Sequence, residues 1–261
     1  MIISILNYKG GVAKTTTTLN LGTALWLLDK SVLLIDTDSQ CNLTKALGFD
    51  PKTDGNETIY EMLTGKCLSF PIYERGKGLD YMPGSPALES IAKELPEYKK
   101  LTVLRHYLSQ IATQYDYILI DCPPSASLLN YNAMIASESI IIPLECAAFS
   151  VQGSLKLSPD IEGIKAELNP KLSILGYLFT KYDKRTNIAR QVKELFEQDK
   201  KIPTFKTVIR RCVAFDSTPI EHQSIFEFDA ESNGAKDYLA LAEEITKTKR
   251  KKNWKRKINP S

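Results

Sequence analysis

The sequence predicts an α/β fold, a twisted and mainly parallel β-sheet with helices on both faces. Three observations carry that expectation. Short, continuous apolar runs alternate with helical patterns along most of the chain, as strands buried on both faces do. The chain opens on an apolar run, a glycine turn and a long helical pattern. Two of the apolar runs end in acids, at the edge where open parallel sheets bind ligands.

Taken in order, Ile2-Ile3-Ser4-Ile5-Leu6 reads as the first strand, Gly10-Gly11 as a turn, and the spacing of Leu19, Ala24, Leu25 and Leu28 as a helix. Val32 to Ile35, Tyr117 to Ile120 and Ile140 to Leu144 read as further buried strands, and the reading repeats around Leu172 to Phe179 and Phe205 to Ile209. The stretch from about Asp50 to Tyr81 is rich in turn residues and reads as a loop-rich excursion with one short helix near Ile59 to Leu63. From Glu231 to Thr246 the pattern is helical again (Ala235, Tyr238, Leu239, Leu241, Ala242, Ile245) and runs into a basic tail that begins as the frayed end of that helix. The expected organisation is a single domain over residues 1–246 and a tail over 247–261.

The 261 residues are 43% hydrophobic and 25% charged, the balance of a soluble globular domain. Five scattered cysteines (Cys41, Cys67, Cys122, Cys146, Cys212) form no C-x-x-C pair, which argues against a disulfide framework or a zinc site and fits a reducing cytoplasm. His106 and His222 lie at no metal-ligand spacing. No signal region and no membrane-spanning run is evident. The net charge of +3 hides an asymmetry: the last 15 residues carry eight bases and no acid, leaving 26 bases against 31 acids, or −5, for residues 1–246. Such a tail suits a polyanion, either nucleic acid or an anionic membrane, or serves as a solvated end.

The chemistry concentrates after the first strand, in Asn7-Tyr8-Lys9-Gly10-Gly11-Val12-Ala13-Lys14-Thr15-Thr16. Glycines let backbone N–H groups turn inward around a phosphate, the helix N-terminus adds its own, Lys14 reaches the β/γ oxygens, and Thr15 offers a hydroxyl to Mg²⁺. Ala13 holds the second glycine position of the standard pattern, and Lys9 precedes the glycines. Asp36 and Asp38 end the second strand two residues apart, so extended backbone would turn both carboxylates one way. Asp121 ends another apolar strand.

KGGVAKTT resembles the deviant Walker A motif of the ParA/MinD family of P-loop ATPases. The likeness covers residues 1–246 and includes the DTDSQ segment at Asp36, the strand ending at Asp121, the stretch Gly176 to Asn187, and the segments Ser224 to Asp229 and Gly234 to Tyr238. The match is to the short, Soj-like branch. It implies ATP held by Gly10, Gly11, Val12, Ala13, Lys14, Thr15, Thr16, Asp36 and Thr180, Mg²⁺ held by Thr15 and Asp121, and hydrolysis served by Lys9, Lys14 and Asp38. Lys9 would cross a homodimer interface to the partner's nucleotide, Asp38 would help position the attacking water, and Thr180 would lie near the adenine. The resemblance further implies non-specific DNA binding, for which Lys184, Arg185, Arg210 and Arg211 are the candidates beside Lys251 and Lys252 of the tail. A ParB-like, centromere-bound partner, slow turnover and a cytoplasmic, nucleoid-associated location are implied with it.

Two rivals share this core: a MinD-like ATPase docking on membrane, and a relative that positions another cargo. Between Lys247 and Asn259 the large apolar residues are Trp254 and Ile258, too few to bury a continuous face in lipid, so DNA is favoured. A non-enzymatic nucleotide-sensing module would leave Lys9 and Asp38 without a role. Reductases with a bridging iron–sulfur cluster need paired cysteines that this pattern lacks.

Overall fold

A computed structural model describes residues 1–50, 57–146, 157–199, 202–250 and 254–258. Seven strands form one sheet: β1 (Ile2–Ile5), β2 (Val32–Asp36), β3 (Tyr73–Gly76), β4 (Leu79–Met82), β5 (Tyr117–Asp121), β6 (Ser139–Glu145) and β7 (Ser173–Thr180). Their order is β3-β4-β2-β5-β1-β6-β7, parallel throughout except where β3 runs antiparallel to β4.

Alternation along each strand feeds two cores. In β2, Leu33 and Ile35 face one core while Val32 and Leu34 face the other, and in β5 Ile118 and Ile120 oppose Leu119 in the same way. The first core is covered by α3 (Ile59–Thr64), α4 (Ile91–Glu94), α5 (Val103–Ile111), α6 (Leu128–Ala136), α7 (Ser158–Glu167) and α8 (Asn187–Gln198). Over the second lie α1 (Lys14–Leu27), α2 (Asn42–Ala46), α10 (Ile225–Asp229) and α11 (Asn233–Thr246), with the short α9 (Ala214–Ser217) beside them. Gly22 lets α1 lie close on the sheet, since a Cβ there would stand 2.3 Å from Leu34 Cδ2.

Three expectations need correction. The excursion before Tyr81 also contains the β3–β4 hairpin, whose half-polar strands carry little hydrophobic signal; Gly78, at φ +89°, makes its turn. Phe205 to Ile209 is not a regular strand. It follows β7 through bonds from Phe205 N to Tyr177 O and Ile209 N to Phe179 O, but the Glu244 carboxylate captures the N–H groups of Lys206 and Thr207 between them. Finally, α11 does not fray into the tail. Lys247 turns left-handed (φ 54°) and stops it.

The tail instead returns to the body. Trp254 lies edge-on to Phe226 at 5.9 Å, and Trp254 and Ile258 pack against the second core. The Lys257 ammonium donates to Trp26 O, pairs with Asp29 at 2.8 Å and sits over the Trp26 ring. A cation is favourable there, because Trp26 O belongs to the last turn of α1.

Candidate functional site

A cleft of about 800 Å³ opens at the C-terminal edge of the sheet, between the turn after β1, the ends of β2, β6 and β7, and the segment from Ile209 to Ile220. The turn is braced from both sides. Asn7, buried, donates to Pro143 O at 2.8 Å and accepts from Lys9 N at 2.9 Å. Gly11 (φ 74°) and Ala13 (φ 66°) adopt the left-handed conformation that turns successive N–H groups inward. Ala13 does so with a Cβ, at a cost of about 1 kcal/mol relative to glycine. Helix α1 starts with no side-chain cap and no acid in its first turn, so its amino end keeps N–H groups and a positive dipole for an anion.

Lys14 is buried, and its amine donates to Lys9 O at 3.0 Å. Burial lowers its pKa, while the carboxylates of Asp121 and Asp38 and the Cys122 thiol oppose that shift. Thr15 Oγ1 donates to Asp121 Oδ2 at 2.7 Å, and Thr18 Oγ1 lies 3.3 Å from Asp121 Oδ1. The Asp121 carboxyl is pushed well above the usual carboxylate range by burial and by the neighbouring charge of Asp36, its register partner across β2 and β5. A buried, cation-hungry carboxylate with a threonine hydroxyl beside it fits a divalent ion. Among the described residues no three His, Cys, Asp or Glu side chains are grouped to hold a metal unaided. That suits Mg²⁺, which keeps most of its waters and shares the rest of its shell with phosphates.

The two acids after β2 part company. Asp38 lines the cleft and accepts from Gln40 N at 3.0 Å. Asp36 is not brought to the cleft: it accepts from Thr44 N at 2.8 Å, Thr44 Oγ1 at 2.6 Å and Asp38 N at 3.0 Å. Gly84 covers it so closely that a Cβ would lie 3.0 Å from its Cγ. Burial lifts its pKa to about 6 against those bonds. In this geometry Asp36 shapes the β2 turn and adds negative potential beneath Asp121.

Gly10, Ala13, Thr15, Thr16 and Thr180 also line the cleft. Val12 is buried, and its carbonyl accepts from Thr180 Oγ1 at 3.1 Å, so Thr180 ties the loop to β7. The Lys9 ammonium lies 4.0 Å from Glu145, which ends β6 at the cleft. Sequence reading passed over Glu145, although the signal used for Asp121, an acid ending an apolar strand, was present there too.

The basic candidates divide. Arg210 lines the cleft and is held by Asp237, which accepts from its backbone N–H at 2.9 Å and from its guanidinium at 2.6 Å. Arg211 lines the cleft, Lys184 is exposed, and the outward Arg185 pairs with Asp183 at 2.7 Å. Arg185, with Arg211 farther off, holds the Asp183 carboxyl below its usual range. Lys251 and Lys252 lie outside the described residues.

The family described as an AAA domain matches residues 1–174. The chain is 38% identical over 247 residues to the sporulation initiation inhibitor protein Soj of Bacillus subtilis, covering 94% of this chain and 97% of that protein. It is 35% identical to the chromosome partitioning protein ParA of Caulobacter vibrioides, covering 97% of each. In structure it is similar to cobyrinic acid a,c-diamide synthase of Mycobacterium smegmatis, solved with a bound ATP analog and magnesium. The TM-score is 0.83 at 28% identity, over 97% of this chain and 95% of that one.

Proposed function

The chain belongs to the ParA/Soj family of partition ATPases, and from that premise we propose that it pairs with a second copy around Mg-ATP, binds duplex DNA without regard to sequence in that state, and lets go on hydrolysis. The observation that carries this reading is the convergence of Lys14, Thr15, Asp38 and Asp121 on one cleft, with Lys9 at its mouth. Lys14 and the N–H groups of Gly11 to Thr15 hold the phosphates, and Thr15 and Asp121 hold Mg²⁺, which when bound neutralises charge on the phosphate oxygens. Asp38 orients the attacking water. Lys9, whose backbone carbonyl is already engaged by Lys14 of its own chain, extends its side chain to the nucleotide of the partner copy.

Dimerisation doubles the basic surface formed by Lys184, Arg185 and Arg211. Because counterion release adds a similar free-energy increment for each phosphate contact, DNA affinity multiplies with their number, and that doubling raises it steeply at low salt. Turnover is slow until a ParB-like protein stimulates it. DNA is preferred to a lipid surface because Trp254 and Ile258, the apolar residues a membrane anchor would need, are already packed against the second core. No helix among the described residues is long and apolar enough to cross a membrane.

The test is binding to non-specific duplex DNA at low salt with ATP, with ADP and without nucleotide, for the parent chain, Lys9→Ala and Lys14→Ala. ATP-dependent binding lost in both variants is the expected result. Binding indifferent to nucleotide, or confined to anionic vesicles, would sink the reading.

A further inference from the structure

Tyr8 stands between Asn7, whose side chain is anchored, and Lys9, whose backbone is held at both N–H and carbonyl, and its own side chain leaves the loop altogether. The phenol donates to Asp160 Oδ2, in the first turn of α7, and Tyr131 of α6 approaches the same oxygen at 3.5 Å. The tyrosine rings are partly buried against the first core. Burial first, and the Asp160 carboxylate second, hold the Tyr8 phenol far above its ordinary pKa, so it remains a donor at any physiological pH. The carboxylate is doubly favoured where it stands, by the amino end of α7 and by a charge-assisted bond.

The consequence falls on the next residue. Lys9 has its N–H committed to Asn7 Oδ1 and its carbonyl to Lys14 Nζ. Asn7 is itself anchored to Pro143 O in β6. The Tyr8 side chain supplies a second anchor, to α6 and α7, so that the base from which the Lys9 side chain springs is fixed in position and direction. Neither Tyr8 nor Asp160 lines the cleft.

We propose that Asp160 is a positioning residue: through the Tyr8 hydroxyl it fixes the Lys9 backbone at the mouth of the cleft and thereby sets the point from which the Lys9 ammonium acts. This rests on the reading that Lys9 acts on the partner copy's nucleotide. A long flexible side chain gains effective concentration at a distant phosphate only when its root is held, so loosening the root lowers the rate of the step Lys9 serves while leaving phosphate binding by Lys14 intact.

The experiment is steady-state ATP hydrolysis by the full chain with duplex DNA present, for Tyr8→Phe, Asp160→Ala, Asp160→Asn, the double variant Tyr8→Phe/Asp160→Ala, Lys9→Ala and Tyr8→Phe/Lys9→Ala. Thermal unfolding of each confirms that it is folded; Tyr8→Phe keeps the packed ring. Tyr8→Phe and Asp160→Ala should each lower kcat roughly tenfold with KM for ATP unchanged, the ratio set by losing one hydrogen bond to a charged acceptor. The double variant should lose no more than either single. Asp160→Asn, which keeps an acceptor oxygen, should stay within about threefold of the parent. Adding Tyr8→Phe to Lys9→Ala should change nothing further. If KM rises at constant kcat, if the losses add, or if Lys9→Ala lowers kcat while Tyr8→Phe does not, the proposal fails alone. An undiminished kcat in Lys9→Ala overturns both it and the across-the-dimer role of Lys9.

Discussion

Asp121→Asn should make the metal-free protein more stable while abolishing its Mg²⁺-dependent grip on nucleotide. In the folded chain the Asp121 carboxylate is buried; among the described residues hydroxyls of Thr15 and Thr18 donate to its oxygens, and the Lys14 ammonium offsets part of the burial cost. An amide in its place keeps the oxygen that accepts from Thr15. Its nitrogen can donate to Thr18 Oγ1, because that hydroxyl has a second acceptor, Lys14 O, at 3.1 Å. Burying an ion costs several kcal/mol after relaxation, and the charge-assisted bonds return part of that, so the net gain is about 2 kcal/mol. For a domain of this size that is a rise in Tm of about 4–8 °C. The sign also fixes the pH dependence. A folded pKa raised above the unfolded value means the parent's stability from this group is complete in acid and lost as pH rises through the interval between the two values. The variant's advantage should therefore be larger at neutral pH and shrink toward about pH 4–5, near the ordinary carboxylate range. Urea unfolding followed by circular dichroism, in chelator at both pH values, measures it, and adding Mg-ATP should then stabilise the parent far more than the variant. A variant equal to or weaker than the parent at neutral pH would refute the claim that the site is an ion trap built at the expense of stability.

Three further outcomes follow from the geometry. Ala13→Gly relieves a left-handed Cβ but loosens the unfolded chain, so the net change should be a gain of up to about 0.5 kcal/mol in urea unfolding with nucleotide affinity held or improved; a loss of more than that would mean the Cβ supports the loop. A chain ending at Thr246 forfeits the Trp254 and Lys257 contacts and should unfold with about 2 kcal/mol less stability, a cost that an unchanged Tm would contradict. Asp183→Asn releases Arg185 and unloads Arg211, so non-specific DNA affinity should rise and the log–log salt slope should steepen by about one unit; an unchanged slope would remove both arginines from the DNA surface.

The sheet and the phosphate loop were legible because each rests on a local signal. Continuous apolar runs mark β1, β2, β5, β6 and β7, and the glycines and Lys14 mark the loop that follows β1. What escaped depends on distant partners. The β3–β4 hairpin lies at the sheet edge, where Glu74, Arg75 and Asp80 dilute any alternation. Phe205 to Ile209 has strand composition, yet Glu244, 37 or 38 residues away, takes two of its N–H groups. The Arg210–Asp237 pair was not legible either, because no spacing rule brings Asp237 to Arg210 from α11. Thr44, eight residues after Asp36, similarly settles which of the paired acids is structural and which faces the cleft.

Other long-range contacts converge on α1. Its amino end forms the anion site, its third and fourth residues, Thr16 and Thr17, meet the cleft and Tyr238 of α11, and its carboxyl end is capped by Lys257 of the tail. A positive charge at the carboxyl end and an anion at the amino end both favour the helix dipole, but each is screened beyond about a turn, so the tail does not tune phosphate binding through the field. It acts mechanically, by holding the helix against the sheet. Trp254, Lys257 and Ile258 are therefore docked against α1 and α10, and removing them loosens the support of the helix that presents the anion site.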